Sequence, residues 1–256
     1  MPELRVASWN LFHGRAVPAM RSNLLPQVAA VLADADWEVC GLQELPPWWA
    51  RSLAQACGAS LRVARTSLAR GVLPAAQRRL CEHDPELLGA RGAAVNALLV
   101  RPSAGWIVDH RVARLRRVPQ RRSVQAVQLA RPGARTVWVA NAHTHNRPLS
   151  AATGDLARAI GLVQPWASTA DAAILLGDFN VPAAIAKQQA PAGGLRWLAG
   201  ERVDHLLVSA GVQLAAPATA EWPQVAGTRA QAGTQTQAAG HLSDHRLLAA
   251  TLTLPA

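Results

Sequence analysis

Short strand-like runs recur along the chain, and helical patterns separate only some of them. Alternation of apolar and polar residues, or a brief apolar run bounded by turn-forming residues, indicates a strand. In chain order the runs are 4–10, 37–44, 60–65, 93–101, 105–115, 123–130, 136–143, 172–177, 202–209, 212–216 and 246–254. Because strands outnumber helices, with helices interspersed, the pattern predicts an α/β sandwich and not a simple parallel sheet.

Three segments have apolar residues at helical spacing: 22–35, 46–57 and 151–166. Ser22 or Asn23 is placed to cap the first helix. We expect Pro46 and Pro47 in the first turn of the second helix, where a missing N–H does no harm. The stretches 66–92 and 216–240 have the composition of surface loops, and the sequence RPGAR at 131–135 predicts a hairpin turn. With no internal repeat, residues 1–256 are predicted to form a single domain.

The charge and cysteine content bear on partners and compartment. The formal net charge is +10, which favours polyanions such as nucleic acid. Of the 26 basic residues only Lys187 is lysine and alanine is abundant, so a bias in nucleotide composition explains the charge equally well. Three cysteines without a CxxC pair indicate a reducing compartment. No apolar run approaches the roughly 20 residues of a membrane span, and no export signal is recognisable. We therefore expect a cytoplasmic protein.

Polar residues recur at or near the ends of the predicted strands. Any one of them would suit a turn, but together they belong to the short list of metal ligands, bases and phosphate-binding groups. They are Asn10, Glu44, His143, Asp178, Asn180, Asp204, Asp244 and His245. Carboxylates, amides and histidines without a thiolate suit a hard ion such as Mg²⁺ or Mn²⁺. The chain lacks G-x-S-x-G, P-loop, GxGxxG and HExxH motifs, so the usual signals of acyl transfer, nucleotide binding and zinc proteolysis are missing.

The order of the short motifs resembles the endonuclease/exonuclease/phosphatase superfamily, which includes deoxyribonucleases, abasic-site endonucleases, sphingomyelinases and inositol-polyphosphate phosphatases. The motifs are SWN, LQE, NALLVR, NAHTHN, GDFN, RVDHLLVS and SDHRLL, from residue 5 to about residue 253. The resemblance implies a four-layer α/β/β/α sandwich of two mixed sheets flanked by helices, with a site at one edge.

The resemblance also implies roles for individual residues. Glu44 is similar to the principal Mg²⁺ ligand of the family, with Asn10 beside it and Asp244 near the ion. Asp178 resembles the group that directs the attacking water, and Asn180 the group that holds a phosphate oxygen.

His245 resembles the histidine that contacts the scissile phosphate, and Asp204 the carboxylate that orients it. His143 is similar to a second histidine that donates to a non-bridging oxygen. His145 is kept as a possible neighbour, and a metal pair formed by the two histidines of HTH is an alternative. Asn96 either supports the site or is a buried, satisfied amide.

A run of arginines between residues 110 and 123 predicts a grip on a phosphate backbone, although a solvated strand pair would have the same composition. Its members are Arg111, Arg114, Arg116, Arg117, Arg121 and Arg122, of which Arg116, Arg117 and Arg122 are the candidates for substrate binding. Trp48 and Trp49 are expected in the core and not on a base-stacking surface, and Cys81, His83 and Asp84 in a solvated loop.

The prediction is a monomeric, metal-dependent phosphodiester hydrolase, a nuclease acting on DNA or RNA, with no protein partner implied. The alternatives are a hydrolase of inositol phosphates or phospholipid headgroups, and an inactive nucleic-acid-binding module.

Overall fold

The computed structural model describes residues 2–66, 74–87, 93–131, 136–225 and 240–255. Strands β1 to β7 span Glu3–Asn10, Val39–Leu45, Ser60–Arg65, Val95–Val100, Trp106–Arg116, Arg122–Ala130 and Thr136–His143. Strands β8 to β13 span Ala172–Asp178, Leu195–Glu201, Asp204–Ser209, Gln213–Leu214, Thr219–Glu221 and Leu247–Thr253. Helices α1 to α5 span Leu25–Asp34, Ala50–Ala56, Pro74–His83, Leu149–Ala167 and Ala183–Gln189.

The strands form two mixed sheets. The first has the order β11-β13-β1-β2-β4-β3, with β12 also paired to β13, and the second has the order β5-β6-β7-β8-β10-β9. Each sheet contains one parallel pair, β1 with β2 and β7 with β8, while its other pairs are antiparallel. A parallel connection needs a long crossover, and α1 and α4 supply these two crossovers. The carboxyl ends of both parallel pairs are therefore available to build a site.

Three apolar clusters hold the layers together. The central cluster lies between the sheets and includes Leu4, Leu98 and Val139. A second cluster packs α1 and α2 on the first sheet, and a third packs α4 and α5 on the second. The result is the predicted four-layer α/β/β/α sandwich, so the predicted fold class is confirmed. No helix in the described ranges is both long and apolar enough to cross a membrane.

Most predicted elements are present, with shifted ends. The second helix begins at Ala50, so Pro46 and Pro47 precede it in a turn and do not occupy its first turn as predicted. Asn23 accepts a hydrogen bond from the N–H of Leu25 at 3.1 Å, close to its expected capping role. Strands β6 and β7 pair as the predicted hairpin, whose turn at 132–135 lies outside the described residues.

Three parts of the chain differ from the sequence prediction. Residues 74–83 form α3 instead of a loop, and Asp84 is buried beside Arg21, with 3.4 Å between Oδ2 and Nε. The polar composition of this helix hid it, since its one large apolar side chain, Leu80, is exposed. The Gly- and Ala-rich stretch before residue 202 contains α5 and β9, and β12 is also additional. Of the loop predicted at 216–240, residues 219–221 form β12, and residues 226–239 lie outside the described residues.

Candidate active site

All eight residues predicted for the site from strand ends meet at one edge of the sandwich. Asp178 is the centre of their contacts. Its Oδ2 lies 2.9 Å from Asn10 Nδ2, 3.5 Å from His143 Nε2 and 3.8 Å from His245 Nε2. The network extends from His143 to Glu44 at 3.9 Å, and from His245 to Asp204 at 2.8 Å and to Asp244 at 3.7 Å. Asn180 joins through its backbone N–H, which donates to Asp178 Oδ1 at 3.0 Å.

The backbone around Asp178 is shaped by glycine. Gly177 has a φ of 140°, and a Cβ at this position would overlap the carbonyl oxygen of Ala142 on the neighbouring strand. Glycine therefore lets β8 run close to β7 while Asp178 turns into the site. Asn180 follows with a φ of 49°, and its side chain donates to the carbonyl oxygen of Thr144 at 3.4 Å.

Glu44 stands at a break in β2. The register with β4 shifts between Leu42 and Leu45, and Glu44 has a φ of 48°. Such an irregularity re-aims a side chain at the rim of a sheet. Its Oε2 lies 3.2 Å from Nε2 of His13, a residue that sequence reasoning missed. Although burial opposes ionisation, the hydrogen bond from His13 and the nearby His143 and Arg122 lower the pKa of Glu44 to about 2. Glu44 is thus a fixed negative charge.

His245 is held by a buried acid. Its Nδ1–H donates to Asp204 Oδ2 at 2.8 Å, and its backbone N–H donates to Ser243 Oγ at 3.1 Å. Burial disfavours the charged imidazole, but the bond to Asp204 and the charge of Asp178 raise the pKa of His245 to about 9. Burial also raises the pKa of Asp204. With its pKa raised to about 9, His245 is an imidazolium at neutral pH, and Asp204 accepts the hydrogen bond from its Nδ1–H.

His143 has the opposite electrostatic environment. It is buried, and its Nδ1 lies 3.0 Å from Nη1 of Arg122. Burial and the charge of Arg122 lower the pKa of His143 to about 4. The ring is therefore neutral at pH 7, and its Nδ1 faces a cation, which disfavours the alternative of a metal pair with His145. The backbone N–H of His145 donates to Asp155 at 3.2 Å.

The three candidate arginines have separate environments. Arg116 forms two bonds to the buried carboxylate of Asp155, from Nε to Oδ1 at 3.0 Å and to Oδ2 at 3.1 Å. Arg117 is exposed on the loop between β5 and β6, whereas Arg122 is buried with 6% of its surface exposed. Of the three, only Arg122 touches the eight-residue network.

Other residues behave as structural groups. Trp49 is buried, as predicted, and Trp48 packs partly against the same cluster. Asn96 is also buried and donates to the carbonyl oxygen of Ser123 at 3.3 Å. Asp84 is not solvated as expected, since it accepts from the N–H of Glu86 at 2.9 Å.

The oxygen atoms of the site fit a hard divalent cation. Burial raises the pKa of Asp244, with the Glu44 and Asp178 carboxylates adding to the rise. The buried Oδ1 of Asp244 has no hydrogen-bond donor in the described part of the chain. Crowded carboxylates with an unpartnered oxygen are the donor set that Mg²⁺ prefers. Asp178, Asp204 and His245 also offer ligand atoms within 4.8 Å of one another. Two of these three are already bonded to each other, so Glu44 and Asp244 are the better donors.

The chain combines a four-layer sandwich with an acid and histidine cluster at one edge. The sequence profile of the Endonuclease/Exonuclease/phosphatase family matches residues 7–245. The chain belongs to that family. A comparison with curated protein sequences gives no significant match.

Solved structures share the fold at low sequence identity. An endonuclease/exonuclease/phosphatase from Beutenbergia cavernae has a TM-score of 0.70 and 18% identity over 100% of this chain and 72% of its own. A mannosyl-6-phosphatase from Bacteroides thetaiotaomicron has a TM-score of 0.66 and 16% identity, covering 98% of this chain and 100% of its own. TDP2 from Caenorhabditis elegans has a TM-score of 0.68 and 15% identity, covering 98% and 74%. At these identities the likeness concerns the fold.

Proposed function

We propose that the protein is an Mg²⁺-dependent phosphodiesterase, a nuclease acting on DNA or RNA. The observation that carries the proposal is the network around Asp178, which joins this carboxylate to two asparagines and two histidines at one edge of the sandwich. Phosphoester hydrolysis needs a group that directs water and donors that tolerate negative charge on phosphate oxygens.

The residues of the chain divide this work. Asp178, held in place by hydrogen bonds from Asn10 and Asn180, orients the water and accepts its proton. The imidazolium of His245 donates to a phosphate oxygen, and Asp204 fixes the direction of the ring. His143 donates to a second oxygen as a neutral imidazole, and the side chain of Asn180 holds another.

Glu44, Asp244 and Asn10 would hold the Mg²⁺ ion, or Mn²⁺ in its place. When bound, the ion neutralises phosphate charge as the water attacks. The hydrogen bond from His13 keeps Glu44 ionised and correctly oriented for this role.

A polyanionic substrate is supported by exposed arginines, three of which lie close to site residues in the sequence. Arg117, Arg121, Arg147 and Arg202 are exposed and make no ion pair with any described residue. Arg121 directly precedes Arg122, Arg147 lies four residues after His143, and Arg202 lies two residues before Asp204. Unpaired guanidinium groups near a phosphoesterase site favour binding of a phosphate backbone. This set replaces Arg116 as the favoured substrate grip, because Arg116 is already bonded to Asp155.

Hydrolysis of inositol phosphates or phospholipid headgroups is the second candidate. The same network serves a small phosphoester, and one structural neighbour is a mannosyl-6-phosphatase. An inactive nucleic-acid-binding module is a third, disfavoured because each predicted site residue is present. We expect residues 1–256 to act as one domain and as a cytoplasmic monomer without protein partners.

The test is turnover of a substrate panel by the purified protein: supercoiled plasmid, single-stranded RNA, abasic DNA, a phosphoinositide, mannose 6-phosphate and bis(p-nitrophenyl) phosphate, each with Mg²⁺, Mn²⁺ or chelator. We expect nucleic acid cleavage that chelator abolishes. Asp178→Ala and His245→Ala should each lower kcat/KM roughly 10²-fold or more. The matched control is Asp34→Ala, which removes an exposed carboxylate from α1.

Each candidate function has its own outcome in this panel. Preferred cleavage of the phosphoinositide or mannose 6-phosphate would favour the second candidate. Binding of nucleic acid without turnover would favour the inactive module, and full activity in chelator would contradict the metal dependence.

A further inference from the structure

We propose that Arg122 is a positioning residue that holds His143 in the tautomer protonated at Nε2, so that His143 acts as a neutral hydrogen-bond donor in the site. The catalytic role that this inference gives to His143 rests on the proposed function. The tautomer itself can be tested without any turnover.

The direction of one hydrogen bond fixes the tautomer. A guanidinium carries only donors, so Nη1 of Arg122 donates and Nδ1 of His143 must accept through its lone pair. In a neutral imidazole the single proton then resides on Nε2. That nitrogen faces Asp178 Oδ2 at 3.5 Å and Glu44 Oε1 at 3.9 Å. The ring thus presents an N–H toward the centre of the site.

The guanidinium of Arg122 is itself held in place. Strand β6 begins at Arg122 and β7 ends at His143, and the two strands pair with Val124 opposite Ala142. Nη2 of Arg122 donates to Oε1 of Gln120 at 2.9 Å, and its buried Nε has no partner in the described chain. With 6% of its surface exposed, Arg122 is placed to act on His143 and not to reach into solvent for a phosphate backbone.

The two histidines of the site are consequently prepared in opposite ways. Asp204 accepts the Nδ1 proton of His245, whereas Arg122 donates to Nδ1 of His143. Nε2 of His245 and Nε2 of His143 lie 3.8 Å and 3.5 Å from Asp178 Oδ2. The two rings therefore face the same carboxylate while their Nδ1 atoms have opposite roles, an acceptor in His143 and a donor in His245.

The first experiment is NMR of the ring nitrogens in ¹⁵N-histidine-labelled protein, with His143→Gln used to assign the signals. We expect an unprotonated Nδ1 and a protonated Nε2 for His143 in the wild-type protein near pH 7. A proton on Nδ1 of His143 would overturn the proposal. In Arg122→Met we expect the Nδ1 signal of His143 to shift, because its hydrogen bond is lost. In the exposed control Arg51→Met the same signal should remain unchanged.

Kinetics separate positioning from direct substrate contact. Arg122→Met should lower kcat by about 10- to 100-fold with little change in KM, as is typical when a partner that orients a site group is removed. The loss should be similar on DNA and on bis(p-nitrophenyl) phosphate. Arg122→Lys, which keeps a donor, should recover part of kcat. A raised KM with unchanged kcat, mainly on the polymer, would instead indicate direct phosphate contact and overturn the positioning role.

The two proposals fail in different ways. If the protein turns over nothing in the panel but His143 is protonated at Nε2, the proposed function is wrong and the Arg122 tautomer stands. If turnover is found but His143 is protonated at Nδ1, the function stands and the role of Arg122 is wrong.

Discussion

Single residues determine whether the site can form, and Gly177 is the clearest case. Its φ of 140° and the overlap of an added Cβ with the carbonyl of Ala142 predict that Gly177→Ala lowers the free energy of unfolding by about 2 kcal/mol or more. Gly161→Ala is the matched control, because this exposed glycine of α4 has no atom within 4 Å of its added Cβ. There alanine should stabilise by about 1 kcal/mol. Urea unfolding of both variants checks the prediction, and equal effects would contradict it.

The Asp204–His245 pair leads to a residue-scale prediction about activity. Asp204→Asn preserves the shape of the side chain but removes the charge that favours the imidazolium of His245. We expect kcat to fall roughly 10²-fold or more, with KM changed little. Steady-state kinetics on bis(p-nitrophenyl) phosphate would measure this. A variant with wild-type kcat would mean that the pair does not serve catalysis.

At the scale of elements, Arg101 couples the end of α1 to β4. Its guanidinium donates to the carbonyl oxygens of Leu32, Ala33, Ala35 and Trp37 at 2.9 to 3.0 Å and lies over the Trp37 ring at 4.0 Å. The last carbonyls of a helix have no intrahelical partner, and a cation there also complements the helix dipole. Arg101→Met should therefore lower the free energy of unfolding by about 2 to 4 kcal/mol.

The measurement for Arg101 is chemical denaturation, with Arg51→Met as an exposed control of the same residue change. Arg101→Lys should recover only part of the loss of unfolding free energy. A single ammonium group cannot reach all four carbonyl oxygens that the planar, forked guanidinium contacts. A loss within about 0.5 kcal/mol of the control would show that water replaces the guanidinium.

Elements were predictable from sequence to the extent that their burial leaves a periodic pattern. Strands β7 and β8 are buried along almost their whole length and were recognisable as short, mainly apolar runs. Helix α3 was not, because its residues are mostly polar and its one large apolar side chain, Leu80, is exposed. The strand-end residues of the site could be named through ordered motifs. The roles of His13 and Arg122 could not be predicted. They depend on tertiary contacts with residues distant in the sequence, Glu44 for His13 and His143 for Arg122.

At the scale of the whole molecule, the net charge of +10 has two explanations, a bias in nucleotide composition and the binding of a polyanion. If arginine richness reflects only nucleotide composition, basic residues should be spread without regard to the site, and removing a few should affect all substrates alike. If it serves a polyanion, the unpaired arginines at the site edge should act on polymers alone. Arg147 and Arg202 test this best, because both are exposed, both flank site residues in the sequence, and neither makes an ion pair in the described structure.

The double variant Arg147→Met/Arg202→Met should raise KM for DNA or RNA while leaving turnover of bis(p-nitrophenyl) phosphate unchanged. Each phosphate contact contributes about 0.9 to the slope of log affinity against log salt on duplex DNA, so two lost contacts should flatten that slope by about 2. Arg51→Met/Arg79→Met removes the same charge from exposed positions on α2 and α3, which tests whether net charge alone is responsible. An equal change of slope in both double variants would mean that overall charge, and not the position of the arginines, determines the affinity for nucleic acid. A change of slope found only in Arg147→Met/Arg202→Met would show that these two arginines bind the polyanion, and that the arginine-rich composition serves substrate binding.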